Sequence, residues 1–224
     1  MRLVIPFLGF EISIANGGLY SIIIENPTDF RKVIEDLWQQ TNGQSGEIIL
    51  SEKGKIISFR EGALVVFNPV DINANNRKVL NTLFKELNEN ALNSLSIELA
   101  DLQSNIIAFF DKLSETVPYD VSYNYEVDVP ELLKCHKFEI NQLNGTYLDR
   151  LIDYLRAYSR ICRTRVVILV NLKNYVSEEE VEALEEFVIY EDLKLIILQN
   201  SLGYRKKEEK TWIIDKDRCT INLN

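Results

Sequence analysis

A strand, a capped helix and a second strand fit within about 33 residues of this chain, and that run restricts its fold more than any other feature. Arg165 to Asn171 encloses Val166-Val167-Ile168-Leu169-Val170, a near-continuous apolar strand of the kind found in parallel sheets covered on both faces. Ser177 and Glu180 form an S-x-x-E capping box, and Val181, Leu184 and Val188 trace the buried stripe of the helix behind it. Leu193 to Leu198 reads as the next strand. Parallel neighbours need a crossover of this length, and such crossovers are right-handed in nearly every case. An α/β core is therefore expected.

The flanking sequence extends that core. Leu19 to Ile24, behind Gly17-Gly18, reads as a buried strand, and Asn26-Pro27 then supplies an N-cap and a first-turn proline. Asp29 lies near the positive helix end, and Phe30, Val33, Ile34, Leu37 and Trp38 make one apolar face that ends at Thr41-Asn42-Gly43. Glu47 to Ser51, Lys55 to Phe59 and Ala63 to Phe67 read as strands between glycine-containing turns. Farther on, Asn144-Gly145 reads as a turn, and Thr146 with Asp149 opens a helix to about Cys162. Ile213 to Asp215 and Thr220 to Asn222 pair as a terminal hairpin around Lys216-Asp217.

Between these halves, residues 76 to about 116 hold no proline and no glycine. Leu92, Leu95, Leu99, Leu102, Ile106, Phe109 and Leu113 are spaced 3, 4, 3, 4, 3, 4, an a/d seam on one long helix. Leu80, Phe84 and Leu87 sit on a preceding helix, with Asn88-Glu89-Asn90 as the turn between the two. The seam is expected either to be buried within an antiparallel hairpin or to pack on another subunit. The organisation expected is an α/β domain from residues 1–75 and 140–224, with a helical domain, 76–139, inserted.

Charge restricts function. The 224 residues carry 25 basic and 34 acidic side chains, a net −9 that should repel nucleic acid. The charge is segregated, however: Arg150 to Lys173 carries six basic groups against Asp149 and Asp153, while Glu178 to Asp192 carries eight acids and no base. Arg156, Arg160 and Arg163 fall at i, i+4 and i+7 and are expected on one helical face, with Lys134 and Lys137 as a smaller pair. Arg205-Lys206-Lys207 precedes Glu208-Glu209 and reads as an exposed loop. No apolar run approaches the roughly 20 residues of a membrane span, Met1 to Pro6 lacks a signal peptide's apolar region, and the odd number of cysteines, three, has no short spacing. A cytoplasmic protein without a membrane partner is expected, its cysteines serving as small core residues.

Most catalytic chemistries find no support. A P-loop needs a glycine-rich turn and a lysine before its helix, but Ile24-Glu25-Asn26-Pro27-Thr28 has neither and puts a carboxylate where phosphate would sit. Gly43-Gln44-Ser45-Gly46 is too short a match and leads into a strand. Asn171 ends a strand where an NTPase would place a magnesium-binding aspartate. Cys135 and the single histidine, His136, are neighbours whose side chains diverge, so they make no dyad. Tyr147, Tyr154 and Tyr158 are expected to pack rather than to stack on bases. Asp120, Glu126, Asp128 and Glu131 form an acidic stretch without EF-hand spacing, and Asp128, Glu131 and Lys134 are a weak match to a metal-dependent hydrolase.

The order of several short segments resembles a known family. Val70-Asp71-Ile72-Asn73 leads into the helix with Leu80, and Glu131-Leu132-Leu133-Lys134 and the helix Tyr147 to Tyr158 follow. Val167 to Asn171, Val176 to Val181 and Trp212-Ile213-Ile214-Asp215-Lys216-Asp217 complete the series. In this order they resemble the CRISPR-associated adaptation proteins of type II-A loci, the Csn-two family. The resemblance implies an α/β, P-loop-NTPase-like parallel-sheet head domain without a functional nucleotide site, carrying an inserted α-helical leg domain. It also implies a homotetrameric ring that binds double-stranded DNA ends without sequence preference, uses calcium, and supports spacer acquisition with the CRISPR integrase and effector nuclease. Lys134 and Lys137 match family positions near the channel. Asp120, Glu126 and Asp128 fall in the family's calcium segment, although tyrosines, Ser122 and Asn124 stand where relatives are acidic.

The leading expectation is a non-catalytic DNA-end-binding ring for antiviral defence, with Lys134, Lys137, Arg156, Arg160 and Arg163 as DNA contacts and no nucleotide cofactor. The alternatives are an interaction scaffold without DNA affinity, acting through its helices and acidic surface, and a metal-dependent hydrolase built on Asp128 and Glu131.

Overall fold

A computed structural model describes residues 1–141, 145–205 and 209–223. The chain divides into two compact units, one of residues 1–74 and 142–224 and the other of residues 75–141. The reading of Asn144 as a turn, and of Lys206 to Glu208 as a loop, lies outside the described residues.

The first unit is built on a six-stranded sheet of order β10-β9-β3-β8-β7-β6. Its strands are β3 (Gly18–Ile24), β6 (Ala63–Val66), β7 (Val166–Val170), β8 (Lys194–Gln199), β9 (Lys210–Ile214) and β10 (Thr220–Asn222). All pair in parallel except the β9–β10 hairpin. β7 and β8 are buried along their whole lengths, as their unbroken apolar sequence requires. A second, antiparallel sheet of order β2-β1-β4-β5 comprises β1 (Arg2–Ile5), β2 (Phe10–Ser13), β4 (Ile49–Glu52) and β5 (Lys55–Ile57). Only part of this sheet was legible in the sequence. β1 and β2 are joined by a 3-10 turn at Pro6–Leu8 with Gly9 at φ 59, a left-handed position that suits glycine. The strand expected at Lys55 to Phe59 stops at Ile57, because Phe59–Gly62 forms one helical turn, α2.

The helices of this unit start where their sequences direct. In α1 (Pro27–Thr41) the Asn26 side chain accepts from the N–H groups of Thr28 and Asp29. Full capping boxes open α6 (Tyr147–Arg160) at Thr146/Asp149 and α7 (Glu178–Tyr190) at Ser177/Glu180. Val33 and Leu37 of α1 join Leu3, Ile5 and Leu50 of the small sheet and Ile22, Ile168 and Ile196 of the large one in a single buried cluster. The small sheet and α1 thus share one face of the parallel sheet, and α7 packs against β3.

The second unit is helical: α3 (Arg77–Ser94), α4 (Ser96–Ser114) and α5 (Val129–Cys135). The helix does not turn at Asn88-Glu89-Asn90. It runs on to Ser94 and breaks at Leu95, whose N–H reaches back to the Asn90 carbonyl at 3.3 Å. Isolated asparagines cost only about 0.7 kcal/mol each in a helix, so the break waits for the run Asn93-Ser94 and Ser96. α3 buries Val79 and Phe84 and packs on α5, but no residue of α4 is buried. The seam is not covered within a hairpin: Leu92, Leu95, Leu102, Phe109 and Leu113 are all at least 39% exposed.

Candidate functional site

At the junction of β3 and α1, the most suitable phosphate site in the sequence, the backbone donors are engaged by the chain's own groups. The first turn of α1, behind β3, lacks the Pro27 N–H, and the Asn26 side chain occupies the N–H groups of Thr28 and Asp29 at 2.9 and 3.4 Å. Asp29, buried at the third helical position, receives both arms of Arg218, with Nε–Oδ2 at 2.9 Å and Nη2–Oδ1 at 2.8 Å. The carboxylate raises the guanidinium pKa further, chiefly through the hydrogen bond. An internal anion thus meets the positive helix end, and its countercharge comes from the β9–β10 turn, where Arg218 sits at φ 65. The sequence located Asp29, but nothing in the pattern pointed to Arg218, which lies 189 positions away.

At the carboxyl end of β7, Asn171 adopts a left-handed φ of 55, and its Oδ1 is buried without a hydrogen-bond partner among the described residues. An amide cannot supply the charge that a magnesium-binding carboxylate would. Gly43 to Gly46 is no phosphate loop either: a Cβ at Gly46 would lie 2.5 Å from Asp36 Oδ1, so the glycine is there for close packing. Asp36 anchors this loop by accepting from the Glu47 N–H at 2.6 Å and from Gln40 Nε2 at 2.6 Å.

A buried ion pair escaped the sequence reading. Lys173 Nζ lies 2.5 Å from Glu209 Oε1, with side chains only 5% and 1% exposed. Ser21 of β3 donates to the same carboxylate, and Lys173 also donates to the Tyr204 carbonyl at 3.0 Å. Charges this deep are held because each has a partner, and here they tie the segment before β9 to β3 and to the turn after β7.

The cations expected to meet DNA fall into two groups. Lys134, in the last turn of α5, is exposed and lies 2.6 Å from Glu131 Oε1. Lys137, just past that helix at φ 50, is exposed. Arg156 bonds Asp153 at 2.7 Å and lies 5.5 Å from the Phe187 ring, while Arg160 grips Glu191 at 3.2 and 2.6 Å. Arg163 does not share their helical face, because α6 ends at Arg160 and Arg163 occupies the following loop at φ 53.

The tyrosines of α6 pack as expected: Tyr154 and Tyr158 are buried with ring centroids 5.0 Å apart, and Tyr147 donates to the Pro69 carbonyl. Burial pushes the Tyr147 hydroxyl up to about 12. The cysteines are not core residues: Cys135 and Cys219 are exposed and Cys162 is half-buried. All three stand at or beyond helix and strand ends, where little packs over them. His136 is likewise exposed, as the C-cap of α5.

Asp120, Glu126 and Asp128 are exposed, and Asp128 is committed to capping α5 through the Glu131 N–H at 2.9 Å. Tyrosines organise this segment instead. Tyr123 donates to Asp111 Oδ1 at 2.5 Å, and its ring lies 5.1 Å from Phe110 and 4.9 Å from Tyr125. The Asp111 bond raises the Tyr123 pKa to about 12. Among the described residues no three His, Cys, Asp or Glu side chains converge as a metal site requires. The residues expected to bind calcium are thus not gathered into one cluster among the described residues. No helix is long and apolar enough to cross a membrane among the described residues.

A family model described as CRISPR-associated protein (Cas_Csn2) matches residues 40–218. No curated relative matches the sequence. Among solved structures, the ABC-transporter component cbiO1 from Clostridium perfringens is 14% identical, with 92% of this chain and 76% of that one covered and a TM-score of 0.44. An ATP-binding cassette of an ABC transporter in its ADP conformation is also 14% identical, covering 92% and 79% at a TM-score of 0.44. Likeness at this level leaves the nucleotide question to the chain's own residues.

Proposed function

The chain belongs to the CRISPR-associated Cas_Csn2 family, and from that membership we propose that it is a non-catalytic protein that binds double-stranded DNA ends without sequence preference, in support of spacer acquisition. It acts as a homotetrameric ring, on a P-loop-like head domain that does not use nucleotide, and it works beside the CRISPR integrase and effector nuclease. The observation that carries this reading is the uncovered seam of α4. Burying a Leu or Phe is worth about 1.5–3 kcal/mol, so a row of them left in water favours self-association. Assembly in turn resolves the charge conflict, since several copies can turn their few cations toward one opening while acidic faces point outward. The Asp29–Arg218 pair supports the absence of nucleotide chemistry.

A gel-shift series comparing linear with covalently closed circular DNA tests the reading: linear DNA should bind and closed circles should not. Lys134→Glu with Lys137→Glu should abolish binding and leave the oligomer intact. Equal binding to both DNA forms would reject end recognition, and a monomeric solution mass would reject the ring.

A scaffold role is the second reading. It is favoured by Ile189 and Tyr190, which stand 58% and 82% exposed at the end of the acidic α7. A stable protein complex without salt-dependent DNA binding would select it.

A further inference from the structure

Two stretches far apart in sequence bring four cations together at the amino ends of the parallel strands. Lys53 and Gly54, at φ 50 and 78, form the two-residue turn of the β4–β5 hairpin, and Lys55 opens β5. Arg163 and Arg165 lie between α6 and β7, and the Arg165 carbonyl accepts from the N–H of Lys194 at the start of β8. Glu52 joins the two stretches: its Oε2 stands 3.9 Å from Arg165 Nη1, which sets the hairpin tip beside the α6–β7 loop.

The four side chains are exposed, and their charge is largely unspent. Among the described residues Lys53, Lys55 and Arg163 have no carboxylate partner, and the long Glu52 contact leaves Arg165 71% exposed. Just before β8, Glu191 is committed to Arg160 and Asp192 to the Gly17 N–H at 3.0 Å. This distinguishes the patch from Lys134, Arg156 and Arg160, each already beside a carboxylate. Neither segment, 49–57 nor 161–167, contains an aromatic residue, so the stacking platform that single strands use is missing. Unpaired Lys and Arg without base-reading or stacking groups suit the phosphate backbone of a duplex.

We propose that Lys53, Lys55, Arg163 and Arg165 form a second contact surface for duplex DNA, an inference that rests on the DNA-binding reading above. Each phosphate met by such a cation contributes about −0.9 to the slope of log affinity against log salt.

Fluorescence anisotropy with a short blunt duplex over a salt series tests it, comparing the full chain with Lys53→Asn/Lys55→Gln/Arg163→Asn/Arg165→Gln. Asparagine is chosen at 53 and 163 because it tolerates the left-handed backbone there. The slope should become shallower by about 3.6 and low-salt affinity should fall at least about tenfold, with solution mass and circular dichroism unchanged. Unchanged slope and affinity, while Lys134→Glu/Lys137→Glu still abolishes binding, would overturn the patch and leave the DNA reading standing. Failure of the unaltered chain to bind duplex would overturn both. A variant that loses self-association rather than DNA affinity would also overturn it, marking the patch as a contact for another copy's acidic face. Should the fourfold variant misfold, Lys53→Asn/Lys55→Gln at the hairpin tip carries the test, with an expected slope change of about 2.

Discussion

In the α/β unit, β7 and β8 are buried from end to end, and even the charged Lys173 and Glu209 are sealed inside. In the helical unit, no residue of the 19-residue α4 is fully buried, and Leu102, Phe109 and Leu113 along it are exposed. Both regions are rich in apolar residues, and only one covers them. The α/β unit can do so because a parallel sheet flanked by helices and a second sheet has two faces to fill. Three helices of unequal length, with α5 only seven residues long, cannot enclose a 19-residue seam. One unit covers its apolar residues, and the other leaves a row of them in water, which is the feature the proposed assembly rests on.

The largest test of this contrast lies in the finished unit. Glu209→Ala leaves Lys173 buried and unpaired and should cost about 3–5 kcal/mol, while Lys173→Met with Glu209→Leu should restore most of it. Both tryptophans, Trp38 and Trp212, belong to this unit, so their fluorescence in a urea titration reports on it alone. A loss below about 1 kcal/mol would show that the pair is not sealed from water. The unfinished unit should answer in the opposite way. Leu102→Ala with Phe109→Ala should change monomer stability by no more than about 0.5 kcal/mol, yet lower the solution mass measured by sedimentation. An unchanged mass would mean that the seam is not where copies meet.

Two smaller effects sharpen the comparison. At Asn171, glycine keeps the left-handed backbone and removes the orphaned oxygen, so Asn171→Gly should be neutral or slightly stabilising, whereas Asn171→Ala should cost about 1 kcal/mol in the same titration. In the helical unit, Tyr123 has a folded pKa of about 12, above the ordinary value near 10. Its bond to Asp111 therefore stabilises the protein fully below pH 10 and is lost as pH rises toward 12. Ultraviolet difference titration of wild type against Tyr123→Phe should find one tyrosine missing from that upper window, and Asp111→Ala should bring Tyr123 back toward 10. A Tyr123 that titrates near 10 in the wild type would break the assignment.

The elements that the sequence disclosed share one property: their signals lie within a few residues of one another. Asn26 and Pro27, Thr146 and Asp149, and Ser177 and Glu180 fix helix starts through hydrogen bonds that span two or three positions. The apolar runs at Leu19 to Ile24 and Val166 to Val170 become strands because nothing but a covered sheet suits them. The candidate site was less legible. Arg156, Arg160 and Arg163 have the spacing of one helical face, but the helix stops first, and carboxylates from Asp153 and Glu191 neutralise two of the three.

Much of the local order was legible in the sequence alone: the βαβ run, the caps at Asn26, Thr146 and Ser177, and the lack of a glycine-rich loop or lysine at the α1 start, whereas β1, β2, α2 and the helix break at Leu95 were not. Tertiary structure alone decided who meets whom across long separations: Asp29 with Arg218, Lys173 with Glu209, and Glu52 with Arg165. The reason is physical. A cap or an apolar period acts over one or two turns of chain, whereas the worth of a charge depends on its partner and on its distance from water, and both of these are fixed only when distant segments pack.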